Sequence, residues 1–436
     1  MRKPQLLVLV GVLVVVGLVL APLAATSAAK PSSPVGARAV RQVGAGARTA
    51  YRAQAAPPTA FGAQVGQPIA YLANAGETLH AIAALHDVTV GQLRGANPGI
   101  AAEAGLSHSR WVLLPSDARL PDQPVVAIEA SSNWTYELKY IYAQTKVKAV
   151  YSIAGRQFAF GTYAGHAVVL TSPGGGTTNA AIGTVLTIEH FNVTAVGFVG
   201  ISGIGDGGEV GDACVASAAV ETDQGNWYDF SYPKGDVEPG LAWYDGGQPI
   251  IGSSGTVDRL VLVQNAAFHS QIVKSLASFV LPKVSPDISA YMAFITGKPV
   301  KSYHPRVLTN CWSASGNQFV TSEGWLRLTE GRSRQAAESL RVAAPAVEAV
   351  DEEDFGAVMT AVEFAKPWFV VRVAVDLARE KNQTVGVPDA FLNNSNPIFG
   401  WLESHHQVSY ISNYDSMYRN IGLVTYRIVE GMARPA

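Results

Sequence analysis

The sequence predicts an α/β protein: a large sheet covered by helices on both faces, preceded by a small βααβ module. Two observations carry the large domain. From about residue 124 to the C-terminus, near-continuous apolar β-rich runs alternate with helical stretches, the pattern of strands buried on both sides. Charged residues make up only 15% of the chain against 48% hydrophobic, which suits packed layers better than disorder. A third observation, two short strands bracketing two short helices over residues 68–115, marks the small module. The 436 residues give room for both, each with its own core. A net charge of −2 argues against nucleic acid as a partner, since that calls for clustered Lys and Arg.

The chain begins Met1-Arg2-Lys3, followed by an apolar run from Leu6 to about Leu23 and the small residues Ala24-Ala25-Thr26-Ser27-Ala28-Ala29. A basic start, an apolar centre and a small-residue exit make residues 1–29 a secretory signal. An uncleaved membrane anchor is the alternative, because the run is nearly long enough to span a bilayer. Either way the bulk of the chain is expected outside the cytoplasm, secreted or held at the wall or membrane. Residues 30–67, rich in Ala, Gly, Pro, Arg and Gln, read as a flexible tether. Cys214 and Cys311 are the only cysteines. Either they pair, a bridge over so long a loop contributing about 4 kcal/mol, or they are two buried small hydrophobes.

Within residues 68–116, Ile69-Ala70-Tyr71-Leu72 reads as a strand. Gly76-Glu77-Thr78-Leu79-His80-Ala81-Ile82-Ala83 opens a helix with Leu79, Ile82 and Ala83 on one face. Val88-Thr89-Val90-Gly91-Gln92-Leu93 starts a second, ended by Asn97-Pro98-Gly99, and Trp111-Val112-Leu113-Leu114-Pro115 closes as a strand. The segment resembles a LysM domain: it carries that family's G-[DE]-T-L-x-x-I-A start, its V-T-x-x-x-L-x-x-x-N-P middle and its strand-Pro end. Ser107-His108-Ser109-Arg110 departs from the family's Gly-Gln turn. The resemblance implies binding of an N-acetylglucosamine-containing glycan, peptidoglycan or chitin; a module that only spaces the next domain is the alternative.

After a linker at 117–123, residues 124–436 form the large domain. Its expected strands are Val125–Glu129, Gln157–Thr162, His166–Thr171, Ala195–Gly200, Ala213–Ser217 and Trp368–Val375, and its expected helices Thr135–Ala143, Asn179–His190, Ala266–Val280 and Asp354–Phe364.

Four segments carry the chemistry. The first is strand Val125–Glu129 followed by Glu137-Leu138-Lys139. The second, Ser172-Pro173-Gly174-Gly175-Gly176-Thr177-Thr178-Asn179-Ala180-Ala181, is a Gly-rich turn between a strand and a helix, able to offer N–H groups to an anion or to sugar hydroxyls. The third is Gly200-Ile201-Ser202-Gly203-Ile204-Gly205, then Glu209-Val210-Gly211-Asp212, small residues that let a ligand approach the backbone. The fourth is Val350-Asp351-Glu352-Glu353-Asp354-Phe355, then Pro367 to Asp376 with Arg372 between. Taken alone, an acidic run before a helix reads as capping. In this order the four resemble the nucleoside phosphorylase/nucleosidase superfamily, with its S-G-x-G-x-x-N-A-A, G-x-A-G, V-[DE]-x-E and P-x-x-x-x-R-x-x-[SV]-D motifs, in the flavour of nucleosidases and plant bark-storage relatives; Gly225-Asn226-Trp227 resembles the latter. Asp354, Phe355 and Gly356 replace the family's usual small residues.

The resemblance implies a three-layer domain with a central mixed β-sheet and a purine nucleoside as substrate. It implies catalytic roles for Glu137, opening the first helix and deprotonating water (Glu129 is the fallback), and for Asp376, the acid beside the purine N7. Substrate binding falls to Ser172, Gly174, Ser202 and Gly203, to Trp325 in the loop 316–325 closing over the base, and to Glu353 on the ribose diol with Glu352 beside it. An acid and a base on either side of an oxocarbenium-like transition state follow the logic of glycoside hydrolysis. Phosphate as nucleophile needs a cationic cradle, and 157–233 contains no Arg or Lys; Arg156 is the only nearby candidate and could reach the loop from a neighbouring subunit. Water is therefore favoured, with a phosphorylase, or a binding or storage protein without catalysis, as alternatives. No cofactor and no metal are expected, His405-His406 included, and a homo-oligomer is.

Overall fold

The computed structural model describes residues 68–101, 104–131, 136–222, 244–245, 248–249, 261–283, 304–316, 323–378 and 410–433. The expected signal, the tether, Trp227 and His405-His406 lie outside them, as does most of the 316–325 loop.

The first elements are β1 (Ile69–Ala73), α1 (Leu79–Leu85), α2 (Val90–Ala96) and β2 (Arg110–Leu114). Local chemistry starts both helices: Thr78 accepts the Ala81 N–H, and Thr89 with Gln92 forms a reciprocal capping box. Strands β1 and β2 pair antiparallel. The other edge of β1 pairs antiparallel with β4 (Lys146–Ile153), Tyr71 lying opposite Tyr151. Rings of Tyr71, His86 and Tyr151 meet there at centroid distances of 5.2–5.8 Å. The module is thus continuous with the large sheet rather than strung beside it.

Beyond it come β3 (Val125–Glu129), α3 (Lys139–Gln144), β5 (Arg156–Tyr163), β6 (His166–Thr171), α4 (Thr177–His190), β7 (Val193–Ile204) and β8 (Ala213–Glu221). A two-residue pair β9 (Tyr244–Asp245) and β10 (Gln248–Pro249) and the short β11 (Val261–Val263) precede α5 (Ala266–Leu276) and β12 (Val307–Ser315). Then follow α6 (Glu323–Leu340), β13 (Val347–Asp351), α7 (Asp354–Glu363), β14 (Trp368–Leu377) and α8 (Tyr410–Glu430). Strands β6, β3, β7 and β14 run parallel to their neighbours in that order, while β4–β5, β5–β6 and β8–β14 are antiparallel. The sheet is mixed. It also closes on itself: β7 pairs β14, β14 pairs β8, β8 pairs β12, β12 pairs β13, and β13 returns to β7 at Gly203 and Ile204. Helix α4 packs with α7, and α8 packs with α3 and α5, covering strands whose residues are nearly all buried. This ring brings the carboxyl ends of β7, β13 and β14 to one place.

Cys214 and Cys311 are joined, on the neighbouring strands β8 and β12, with Cα atoms 5.6 Å apart. Of the two alternatives the sequence left open, the bridge is the one formed. It closes 97 residues of chain, so its loss should cost about 4–5 kcal/mol by the loop-entropy relation. Urea unfolding of Cys214→Ser/Cys311→Ser under oxidising conditions should show that drop, and reduced wild-type protein should match the variant.

Candidate functional site

Four segments meet at the carboxyl ends of the parallel strands. Glu137 sits in the turn before α3, not inside its first turn as expected: the helix begins at Lys139, with Leu138 as its cap. The Glu137 side chain is buried. Its Oε1 accepts the Ile201 N–H at 2.8 Å and its Oε2 the Ser131 hydroxyl at 2.9 Å. Ser172, following β6, donates its hydroxyl to the Ser131 carbonyl at 3.3 Å. Gly174 and Gly176 take the left-handed turn before α4, at φ 103° and 87°, which favours glycine.

Glu353 reaches the same place from β13. Its Oε1 accepts the Gly176 N–H, the first donor of α4, at 3.3 Å, and its Oε2 accepts from Arg372 Nη2 at 3.0 Å. Burial pushes its carboxyl up to about 7; Arg372 pulls it down, and the charges of Asp351 and Glu137 add to the rise. The last of these reports Glu137 and Glu353 sharing one electrostatic environment.

Arg372 organises the site, and it had no assigned role in the sequence reading. It is 1% exposed and on β14. Its Nη1 donates to the Ile201 carbonyl at 2.8 Å, so Ile201 gives its N–H to Glu137 and its C=O to Arg372. Its Nε and Nη2 hold Asp354, and Nη2 also meets Asp351 at 3.3 Å. A Cβ on Gly200 would stand 2.5 Å from Glu137 Oε1 and 2.6 Å from Arg372 Nη1; only glycine lets both close over the strand. The acidic run does cap α7, but through Asp351, whose Oδ1 accepts the N–H groups of Glu353 and Asp354 at 2.8 Å each. Glu353 is left to face Arg372 and the Gly-rich loop. A Cβ on Gly356 would meet the Thr177 carbonyl at 2.0 Å, so this glycine permits α7 to pack against the start of α4.

The remaining expected residues are placed as follows. Asp376 lies in β14 beyond a bulge, its backbone in register with Gly203 of β7, which itself pairs with Val350. Its side chain, like that of Trp325, falls outside the described part; Trp325 stands in the first turn of α6, not in a loop. Ser202 is buried, and its Oγ makes no hydrogen bond among the described residues. Glu352 is partly exposed beside Glu353. Arg156 lies beside the Gly-rich loop of its own chain: Nε donates to the Pro173 carbonyl and Nη2 to Asn179 Oδ1, at 3.3 and 3.2 Å. Among the described residues no group of three His, Cys, Asp or Glu could hold a metal ion.

Glu129, the fallback base, is fully enclosed and faces away from the site into α4. Its oxygens lie 2.6 and 2.7 Å from the hydroxyls of Thr184 and Thr187, which also bond the Ala180 and Gly183 carbonyls. Burial pushes it up to about 7, against the pull of the two threonines. A raised carboxyl binds its proton on folding, so this contribution to stability is complete below about pH 4.5 and is lost as pH rises through about 7. Glu129→Gln, which mimics the neutral acid, should match wild type in urea at pH 5 and exceed it at pH 8.5.

A family model described as the phosphorylase superfamily matches residues 124–396. The chain belongs to the phosphorylase superfamily. A 5′-methylthioadenosine/S-adenosylhomocysteine nucleosidase from Listeria innocua serovar 6a is 32% identical over 108 residues, 24% of this chain and 46% of the relative, so the chain spans about half the length of that relative. Among solved structures, the S-adenosylhomocysteine nucleosidase of Streptococcus pyogenes, in complex with 5-methylthiotubericidin, aligns at TM-score 0.44 and 17% identity over 72% of this chain and 99% of its own. The futalosine hydrolase of Helicobacter pylori strain 26695 aligns at 0.41 and 16% over 71% and 98%. Within the matched residues 124–396, Glu137, Ile201, Arg372 and Glu353 form one connected constellation at the strand ends.

Proposed function

We propose that the protein is an exported purine nucleosidase that hydrolyses the N-glycosidic bond of an adenosine-type nucleoside. One observation carries this reading: two buried carboxylates, Glu137 and Glu353, converge on Ile201 and Arg372 beside the Gly-rich loop. Glu137 accepts the Ser131 hydroxyl on one oxygen and the Ile201 N–H on the other, contacts that orient the carboxylate toward an attacking water molecule. It takes the proton as that water attacks the ribosyl carbon. Glu353 accepts hydrogen bonds from the ribose diol and stabilises the positive charge that develops on the ring. Asp376 protonates the departing base at N7. Because Glu353 binds hydroxyls as the anion and sits near 7, kcat/KM should rise with pH through about 7 and then level.

The N–H groups of Arg156 that face the Gly-rich loop are engaged with Pro173 and Asn179, and four acidic side chains surround Arg372 and Ile201. Both features favour water over phosphate as nucleophile. The L. innocua relative's name supports methylthioadenosine-class substrates. The Cys214–Cys311 bridge supports export, since such bonds persist in oxidising compartments. The βααβ segment, with the LysM-type motif, supports attachment to an N-acetylglucosamine-containing glycan.

The decisive assay incubates the protein with 5′-methylthioadenosine, adenosine and inosine, with and without phosphate, and follows free base and free sugar. Phosphate-independent release supports the reading. Phosphate-dependent release makes the protein a phosphorylase, and tight binding without turnover makes it a binding protein. Sedimentation with insoluble peptidoglycan tests the attachment.

A further inference from the structure

Asp354 is fully buried and has no part in the chemistry proposed above. Counting protons around it settles its state. Asp351 Oδ1 accepts from the N–H groups of Glu353 and Asp354, from the Ser315 hydroxyl at 2.8 Å and from Arg372 Nη2. Four donors on one oxygen mark an ionised carboxylate. The Ser315 hydroxyl accepts the Phe355 N–H and spends its single proton on Asp351. The Ser313 hydroxyl touches both Asp351 Oδ2 and Asp354 Oδ2, the latter at 2.7 Å. It too has a single proton, and an ionised Asp351 has none to give, so Ser313 donates to Asp351. The contact between Ser313 and Asp354 then needs a proton from Asp354.

We infer that Asp354 is a neutral carboxylic acid, its Oδ2 donating to Ser313 while Oδ1 accepts from Arg372 Nε and Nη2 and Oδ2 also lies 3.0 Å from Nε, and that it acts as a positioning residue leaving the guanidinium's charge to Asp351 and Glu353. Fully ionised, Asp351, Glu353 and Asp354 would put three negative charges on one buried arginine; the proton removes one of them. The charged or titratable groups facing Asp354 are Arg372 from β14 and Asp351 from the end of β13, with the Ser313 hydroxyl from β12. Burial and the Asp351 charge hold Asp354 well above the ordinary carboxylate range. A neutral acid keeps the fork of Arg372 in place, aimed at Glu353 and the Ile201 carbonyl, without competing for its charge.

Infrared difference spectroscopy of the full-length protein labelled with ¹³C-carboxyl aspartate tests this without turnover. At pH 9 a carboxylic-acid C=O stretch that carries the aspartate isotope shift should be present. The label separates it from the glutamates Glu129 and Glu348, raised to about 7 and about 8. The band should remain in Asp376→Asn and vanish in Asp354→Asn. No such band in wild type, or its loss in Asp376→Asn alone, overturns the inference; the Asp376→Asn spectrum decides even where Asp354→Asn does not fold. The pH profile gives a second readout, which rests on the hydrolase reading. Asp351→Asn, removing a real charge beside Glu353, should move the acid limb of kcat/KM down by about one unit. Asp354→Asn should leave it where it is; an equal downward move would show that Asp354 is ionised.

Discussion

Glutamine in place of Glu137 is expected to lower kcat for nucleoside hydrolysis by about 10²–10⁴, the range for losing a positioned proton acceptor, with a much smaller change in KM. The reason is local. Glu137 is held by the Ile201 N–H and the Ser131 hydroxyl, and an amide can keep the first contact while losing the ability to take a proton from water. Glu353→Gln should behave differently. An amide still offers an oxygen to Gly176 or Arg372 but presents an N–H₂ to one of them, and it accepts ribose hydroxyls without charge. Its defect should therefore appear in KM as well as kcat, and the rise of kcat/KM near pH 7 should disappear with it. Steady-state kinetics from pH 5.5 to 9 separate the two. Equal kcat and KM effects from both variants would mean that the carboxylates merely shape the pocket.

What the sequence made legible, and what it did not, follows from range. Strands β3, β6 and β14 and helices α4 and α7 could be seen because apolar runs, a Gly-rich turn and a helix start are local signals. The long helices α6 and α8 and the strands β4, β12 and β13 were not anticipated. In β4, Lys146 and Lys148 interrupt the apolar pattern, and β13 is only five residues long with Glu348 as its second residue. Glu137 was singled out with Asp376 for catalysis and Glu353 for the ribose, and the fold brings Glu137 and Glu353 to one place. The link between them was invisible: Ile201 serves Glu137 by its N–H and Arg372 by its carbonyl, and main-chain groups leave no trace in side-chain spacing. Glu129 misled for the opposite reason. A carboxylate at a strand end near the motif reads as a base, but the threonines that enclose it are 55 and 58 residues away. The spacing of Thr184 and Thr187 on one face of α4, opposite a buried strand, was the available sign. Asp354 was noted only as a departure from the family pattern, and its partner Ser313 lies 41 residues earlier.

Leucine in place of Arg372 should weaken the fold itself by about 3–5 kcal/mol, from removing one partner of a buried ionic cluster. The guanidinium is 1% exposed and bonds Asp351, Glu353, Asp354 and the Ile201 carbonyl, so nothing from solvent can replace it. The carboxyls left behind lose the group that lowered them, bind protons more tightly when folded, and so make the penalty depend on pH. Its sign is fixed: folded-state values raised above the unfolded ones favour the fold at low pH, and the deficit of Arg372→Leu should shrink as pH falls from 8 to 5. Urea unfolding of wild type and variant at both ends measures that difference. Adding Asp351→Asn should recover part of the loss, because Asp351 is the carboxylate with the most donors and the one held below its ordinary range. Arg372→Lys should fall between: its single ammonium can meet Glu353 or Asp354, but cannot hold Nε and both Nη contacts at once. A penalty independent of pH, with no recovery from Asp351→Asn, would make Arg372 a packing residue, and Glu137 and Glu353 would have to be oriented by something else.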